Sequence, residues 1–161
     1  MEKSRHERQN PYHGIGFFAR VEAKTLSYGA YVKAAAIAGQ ISECWDAFQV
    51  WLTNNANESW LKQQFKTHDL CIRDASNKVL AHEITCRDDH WEFKDGKTRH
   101  KIDSLSAYFA TLSDLNQADL RVEKRISKAD ALPEGKKIAG TMASLFQALM
   151  PFYLVAPVPA E

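Results

Sequence analysis

The chain has 161 residues, 45% hydrophobic and 25% charged, the size and balance of one folded domain with a sizeable core. Its 21 basic and 20 acidic residues are mixed along the sequence and leave a formal net charge of +1, so composition carries no strong signal for nucleic acid or an anionic lipid surface. Three cysteines without paired short spacings argue against a disulfide framework and for a reducing, cytoplasmic compartment, and no apolar run approaches the ~18 residues of a membrane span.

Residues 1–14 combine charge with His6, Gln9, Asn10 and Pro11, and lack the apolar stretch of a signal peptide. They offer too little apolar surface to offset their ordering entropy, which predicts a mobile arm before a single domain over 15–155 and a loose tail over 156–161. Ile15, Phe17, Ala19, Val21 and Ala23 alternate with Gly16, Phe18, Arg20 and Glu22, which predicts an opening strand. The alanine-rich stretch Leu26 to Ala38, with Tyr28, Tyr31 and Val32 at helical offsets and Gly39 placed to end it, predicts a helix. The next helix is better defined: at 100° per residue, Ile41, Cys44, Trp45, Phe48, Trp51 and Leu52 share one face. Asn54 and Asn55 break that pattern, and Asn57 is placed to cap a short helix carrying Trp60, Leu61 and Phe65.

The period then changes to two. Leu70 and Ile72 alternate with Cys71 and Arg73, Ser76-Asn77 suits a turn, and Val79 to Thr85 runs back to complete a hairpin. Trp91 and Phe93 precede Asp95-Gly96, a strong two-residue hairpin signal when both turn positions need positive φ, and Thr98 to Ile102 returns. Asp103 or Ser104 caps a helix with Leu105, Tyr108, Phe109, Leu112 and Leu115 on one face. Leu120, Val122 and Ile126 form a strand that Lys124 interrupts, which predicts a sheet edge. Pro133 suits the first turn of a last helix carrying Ile138, Met142, Leu145, Phe146 and Leu149, ended by Pro151. The sum is a single α+β domain, an antiparallel sheet of four to six strands packed against three or four helices.

Four groups invite chemistry. Gly14-Ile15-Gly16-Phe17-Phe18-Ala19 has the glycine spacing of a dinucleotide loop, but a polar arm precedes it and strand-like alternation follows, where that loop needs a strand before and a helix after. His82, Cys86 and His90 recur every four residues near Cys71; on a strand, His82 and Cys86 stand ~13 Å apart, too far for ligands ~2.0–2.3 Å from one zinc. With Ser76-Asn77 at the turn centre, Cys71 and His82 become cross-strand neighbours, and a histidine there could activate the thiol. The residues themselves favour a buried, unreactive cysteine.

The fourth group is Glu92-Phe93-Lys94, set after Asp69 or Glu83. Its order of elements over Ile41 to Ile126 resembles that of the restriction-endonuclease-like nucleases, which implies carboxylates holding Mg²⁺ and a lysine positioning the attacking water. Beside that resemblance, the alternating charges next to Asp95-Gly96 read as the solvated end of a hairpin. The order of elements is also similar to that of the small secretion chaperones, which implies a homodimer binding extended partner segments. The reading that follows is a non-enzymatic binding or interaction module without a cofactor. A small apolar molecule or a protein is its expected partner, and Trp45, Phe48, Trp51, Trp60 and Trp91 are the expected lining of a pocket or interface. The metal-dependent nuclease is the alternative.

Overall fold

A computed structural model describes residues 14–33, 43–112 and 117–155, so most of the expected arm and the tail lie outside the described residues. The chain opens with a hairpin of β1 (Gly14–Val21) and β2 (Thr25–Lys33). The helix expected from Leu26 is therefore, over its described part, a strand. Leu26, Tyr28, Ala30 and Val32 keep strict alternation with Ser27, Gly29, Tyr31 and Lys33, and pairing on both sides, with β1 and with a strand near the C-terminus, outweighs the helical propensity of alanine. Gly29 suits this pairing, since a Cβ there would lie 2.0 Å from the Val122 carbonyl oxygen.

Two helices follow, α1 (Glu43–Leu52) and α2 (Asn55–His68), and then β3 (Cys71–Asp74), β4 (Ile84–Arg87), β5 (His90–Asp95) and β6 (Thr98–Ile102). Short α3 (Leu105–Ala110) leads to β7 (Asp119–Ser127), and α4 (Lys128–Glu134), α5 (Lys137–Ala148) and α6 (Met150–Tyr153) close the described chain. The sheet is antiparallel with seven strands in the order β1-β2-β7-β3-β4-β5-β6, which exceeds the four to six expected; the described helices number six rather than three or four. The fold class is α+β. Among the described residues no helix is long and apolar enough to cross a membrane.

Several local expectations change with the topology. β7 is not an edge: it joins β2 to β3 at the centre of the sheet, and Lys124 is accommodated because its ammonium donates to the His68 carbonyl, 3.1 Å away, at the C-terminal end of α2. In the β5–β6 turn the central pair is Gly96-Lys97, between Asp95 and Thr98, and of these only Gly96 has positive φ. The β4–β5 turn does use two left-handed residues, Asp88 (φ 47°) and Asp89 (φ 67°), a role aspartate tolerates through its short polar side chain. Asn54, not Asn57, caps α2, its side chain accepting from the Ala56 N–H at 2.9 Å. Ser104 caps α3; Leu115 lies outside the described residues. Pro133 sits near the end of α4, and Pro151 starts α6 where it was expected only to stop a helix.

One side of the pleat carries Ile15, Ala30, Val32, Ile72, Ile84, Trp91, Leu120 and Val122, and the buried apolar side chains of α1, α2, α3, α5 and α6 form one cluster with them. Phe48 is the hub of its rings, 5.8 Å from Trp45, 6.3 Å from Phe109 and 5.3 Å from Phe152 between centroids. α4 buries no side chain. Among the described residues no helix adds such a cluster on the other side of the pleat, called the uncovered side below, where Ser27 and Glu123 are nonetheless buried.

Candidate functional site

The uncovered side of the sheet is defined by register. Opposite-facing positions Phe18, Gly29, Glu123, Cys71, Thr85, Glu92 and Lys101 form one cross-strand row, and the neighbouring rows add Arg20, Ser27 and Arg125, and Tyr31, Arg121 and Arg73. Counted over the seven strands, this side holds nine arginines and lysines against three carboxylates, Asp119, Glu123 and Glu92. Every arginine among the described residues, Arg20, Arg73, Arg87, Arg99, Arg121 and Arg125, lies here. A chain with a net charge of +1 thus gathers an excess of cations on one side, because strand alternation sorts in space charges that are mixed in sequence; each of the six arginines there also meets a carboxylate, Glu22, Glu83 and Asp88 joining the three on the strands.

Two of the three carboxylates are sunk beneath the arginines and hold them. Glu123 is fully buried and accepts from Arg73 Nε at 2.8 Å, with Arg125 Nε at 3.8 Å; Arg125 also pairs with Glu83. Glu92 is buried and meets Arg99 at 2.5 Å and the His90 ring at 3.5 Å. Each carboxylate orders a guanidinium fork that would otherwise be mobile. The aromatic members of this face are arranged as well. Tyr31 lies across Gly16, where a Cβ would come within 2.5–2.8 Å of the phenol, and the Arg121 guanidinium stands 4.8 Å from the Phe18 ring centroid. At the β4–β5 end a cleft of about 680 Å³ opens, its lining including Asp69, Glu83, Arg87, Glu92, Lys94 and Arg99.

The nuclease-like residues Asp69, Glu83, Glu92 and Lys94 therefore do meet around one cleft. Glu92 is not at the solvated hairpin end expected from the sequence: the cross-strand arginine of β6 covers it, and only Lys94 is exposed. Glu83 and Glu92 each face an arginine rather than each other, and among the described residues no group of three or more His, Cys, Asp or Glu side chains is placed to hold a metal. Of the histidine–cysteine set, His82 and Cys86 line this same cleft, but the set does not converge on one point. Cys86 is on the helix side, paired with Trp91, while Cys71 and His90 are on the other, and His82 stacks on Phe93 with centroids 5.4 Å apart.

Cys71 pairs with Thr85, not His82, because the connection from Ala75 to Glu83 is longer than a tight turn. Burial pushes its thiol up to about 12, the carboxylates Glu83 and Glu123 adding to the rise and Arg125 and Arg73 opposing it. Such a thiol is protonated at neutral pH and a poor nucleophile. The glycine pattern of Gly14 and Gly16 lies within β1, with no helix at its end.

No protein-family model, curated protein or solved structure matches this chain. Of the aromatic residues expected to line an interface, Trp45, Phe48 and Trp91 are at most 1% exposed in the core, while Trp51 and Trp60 are partly buried and meet edge to face at 5.9 Å. None of the five lines the cleft. Sequence periodicity did not single out Glu58, Asp74 or Glu123, three buried carboxylates that organise the structure. The only signal available for Glu123 was its place between apolar Val122 and Lys124 in a strand rich in arginine.

Proposed function

We propose that the protein is a binding module without catalytic activity, and that it receives an anionic partner on the uncovered face of the sheet. The observation that carries this reading is the confinement of all six described arginines to that face, on which none of the described helices packs a buried side chain. Guanidinium groups anchored by Glu92 and Glu123 keep N–H donors beyond the one each uses in that contact, a donor set suited to carboxylate, sulfate or phosphate. Solvation alone does not require it, because lysine would serve as well.

Titration of the ¹⁵N-labelled protein with a heparin hexasaccharide, used as a plain polyanion, tests the site. Amide shifts should concentrate on the sheet, around Arg20, Arg73, Arg87 and Arg121, and should weaken with salt. The double variant Arg20→Glu/Arg87→Glu, at two side chains more than half exposed, should lower the affinity at least about tenfold without altering the melting temperature. Shifts spread over the helices, or none at all, would refute the reading. A second reading, the metal-dependent nuclease, has one observation in its favour, the gathering of Asp69, Glu83, Glu92 and Lys94 around the cleft. DNA or RNA cleavage in Mg²⁺ that vanishes in Glu92→Gln would install it instead.

A further inference from the structure

We infer that the anionic partner is a single-stranded nucleic acid, whose phosphates meet the arginines while a base stacks on Tyr31. This rests on the anion-binding reading and adds the chemistry of the ligand. Arginine and lysine are sorted differently: all six described arginines are on the uncovered face, against three of twelve described lysines. A surface selected only for charge would not distinguish them. The planar fork of arginine matches the paired oxygens of phosphate and can also stack on a base, whereas lysine offers a point charge.

Phosphate and carboxylate fit the fork alike, and the aromatic residues decide between them. Because Gly16 has no Cβ, the phenol end of Tyr31 lies over the β1 backbone, and the Lys33 ammonium stands over its ring, 5.7 Å from the centroid, in the place a base would take. Phe18, on the next row of β1, already carries the Arg121 guanidinium on its ring. A flat ring among cations is the arrangement on which bases of a single strand stack; an acidic peptide has no group that needs it. Six gaps between seven strands give a face ~29 Å wide, room for at least the ~4 nucleotides at the lower end of single-strand sites. Among the described residues the face is a sheet without a projecting helix or ribbon of the kind that enters the major groove of a duplex.

The test is fluorescence anisotropy with labelled dT10 and rU10, the duplex dA10·dT10 and a decaglutamate peptide, at several salt concentrations. Either single strand should bind at least about tenfold more tightly than the duplex and the peptide. The slope of log K against log salt should be near −3, corresponding to about four phosphate contacts at ~0.7 each. Tyr31→Leu keeps an apolar side chain at this position but removes the ring, and should weaken binding about 5- to 150-fold with an unchanged salt slope. Tyr31→Phe should restore wild-type affinity, which separates stacking from any loss of fold. Decaglutamate or duplex binding as tightly as the single strands, or Tyr31→Leu binding like wild type, overturns this inference and leaves the anion-binding face standing. Heparin shifts absent from the face remove both.

Discussion

Glu58→Ala is expected to cost about 3–5 kcal/mol, since it strands buried donors on two other elements at about 1–3 kcal/mol each. Glu58 lies in the first turn of α2, where its charge suits the helix dipole. One oxygen accepts from the Trp91 indole N–H at 2.7 Å and from the Leu105 backbone N–H at 3.2 Å; the other meets the Ser104 hydroxyl at 3.4 Å. A single carboxylate thereby joins α2, β5 and the N-terminus of α3. It also fixes the Trp91 ring, which packs edge-on against Phe65 at 4.9 Å. Glu58→Gln retains one acceptor oxygen but brings an NH₂ to face donors, so its loss should be smaller, about 1–2 kcal/mol. Urea melts followed by tryptophan fluorescence would measure both. A loss below about 1 kcal/mol for the alanine variant would mean that water reaches Trp91 and Leu105, and that this junction does not hold the fold together.

Asp74→Ala should be nearly as damaging, at about 3–5 kcal/mol, and its effect should depend on pH. Asp74 is 1% exposed at the end of β3 and accepts from the Ser76 N–H and hydroxyl at 3.0 and 2.6 Å, from Val79 and Leu80 N–H at 2.8 and 3.2 Å, and from Asp119 N–H at 3.1 Å. It ties the long β3–β4 connection to the first residue of β7. Burial works to raise its pKa, but the hydrogen bonds from Ser76, Val79, Asp119 and Leu80 outweigh burial and hold the carboxyl below the ordinary value. The folded-state pKa is thus lower than the unfolded one. The stabilisation is complete above the ordinary carboxylate value and is lost as pH falls through the folded pKa. The stability difference between wild type and Asp74→Asn should therefore be flat above about pH 5 and shrink below about pH 4. A difference that stays constant to pH 2.5, or grows on acidification, would mean that the charge of Asp74 does not matter to the connection.

Neither carboxylate stands out in the periodicity. Glu58 works through indole and backbone N–H groups 33 to 47 residues away, those of Trp91 and Leu105, whereas Asp74 takes donors from Ser76, Val79 and Leu80 close by and reaches Asp119, 45 residues on. Periodicity reports which way a side chain points, not what meets it. The errors at β2 and β7 have that origin too. Tyr28, Tyr31 and Val32 satisfy helical spacing and Leu26 to Lys33 satisfies strand spacing, and only the double pairing of β2 resolves the ambiguity. Lys124 argued for an edge until the C-terminus of α2 supplied an acceptor for it.

The candidate site was legible in a different sense. Glu92, Lys94, Asp69 and Glu83 were recognisable as a group, and they do converge, but the arginines that engage two of them come from β6 and β7. The sequence by itself determined the α+β class, the aromatic faces of α1 and α3, the β5–β6 hairpin and the alternation that gives each strand two chemically different sides. Those follow from periods of 3.6 and 2 within a single segment. Only the tertiary structure decided which side of the sheet the helices would cover, how seven strands would be ordered, and hence that six arginines scattered over 106 residues would share one uncovered face. Strand order and layer packing are set by contacts between distant segments, and a net charge of +1 averages over the two sides that those contacts separate.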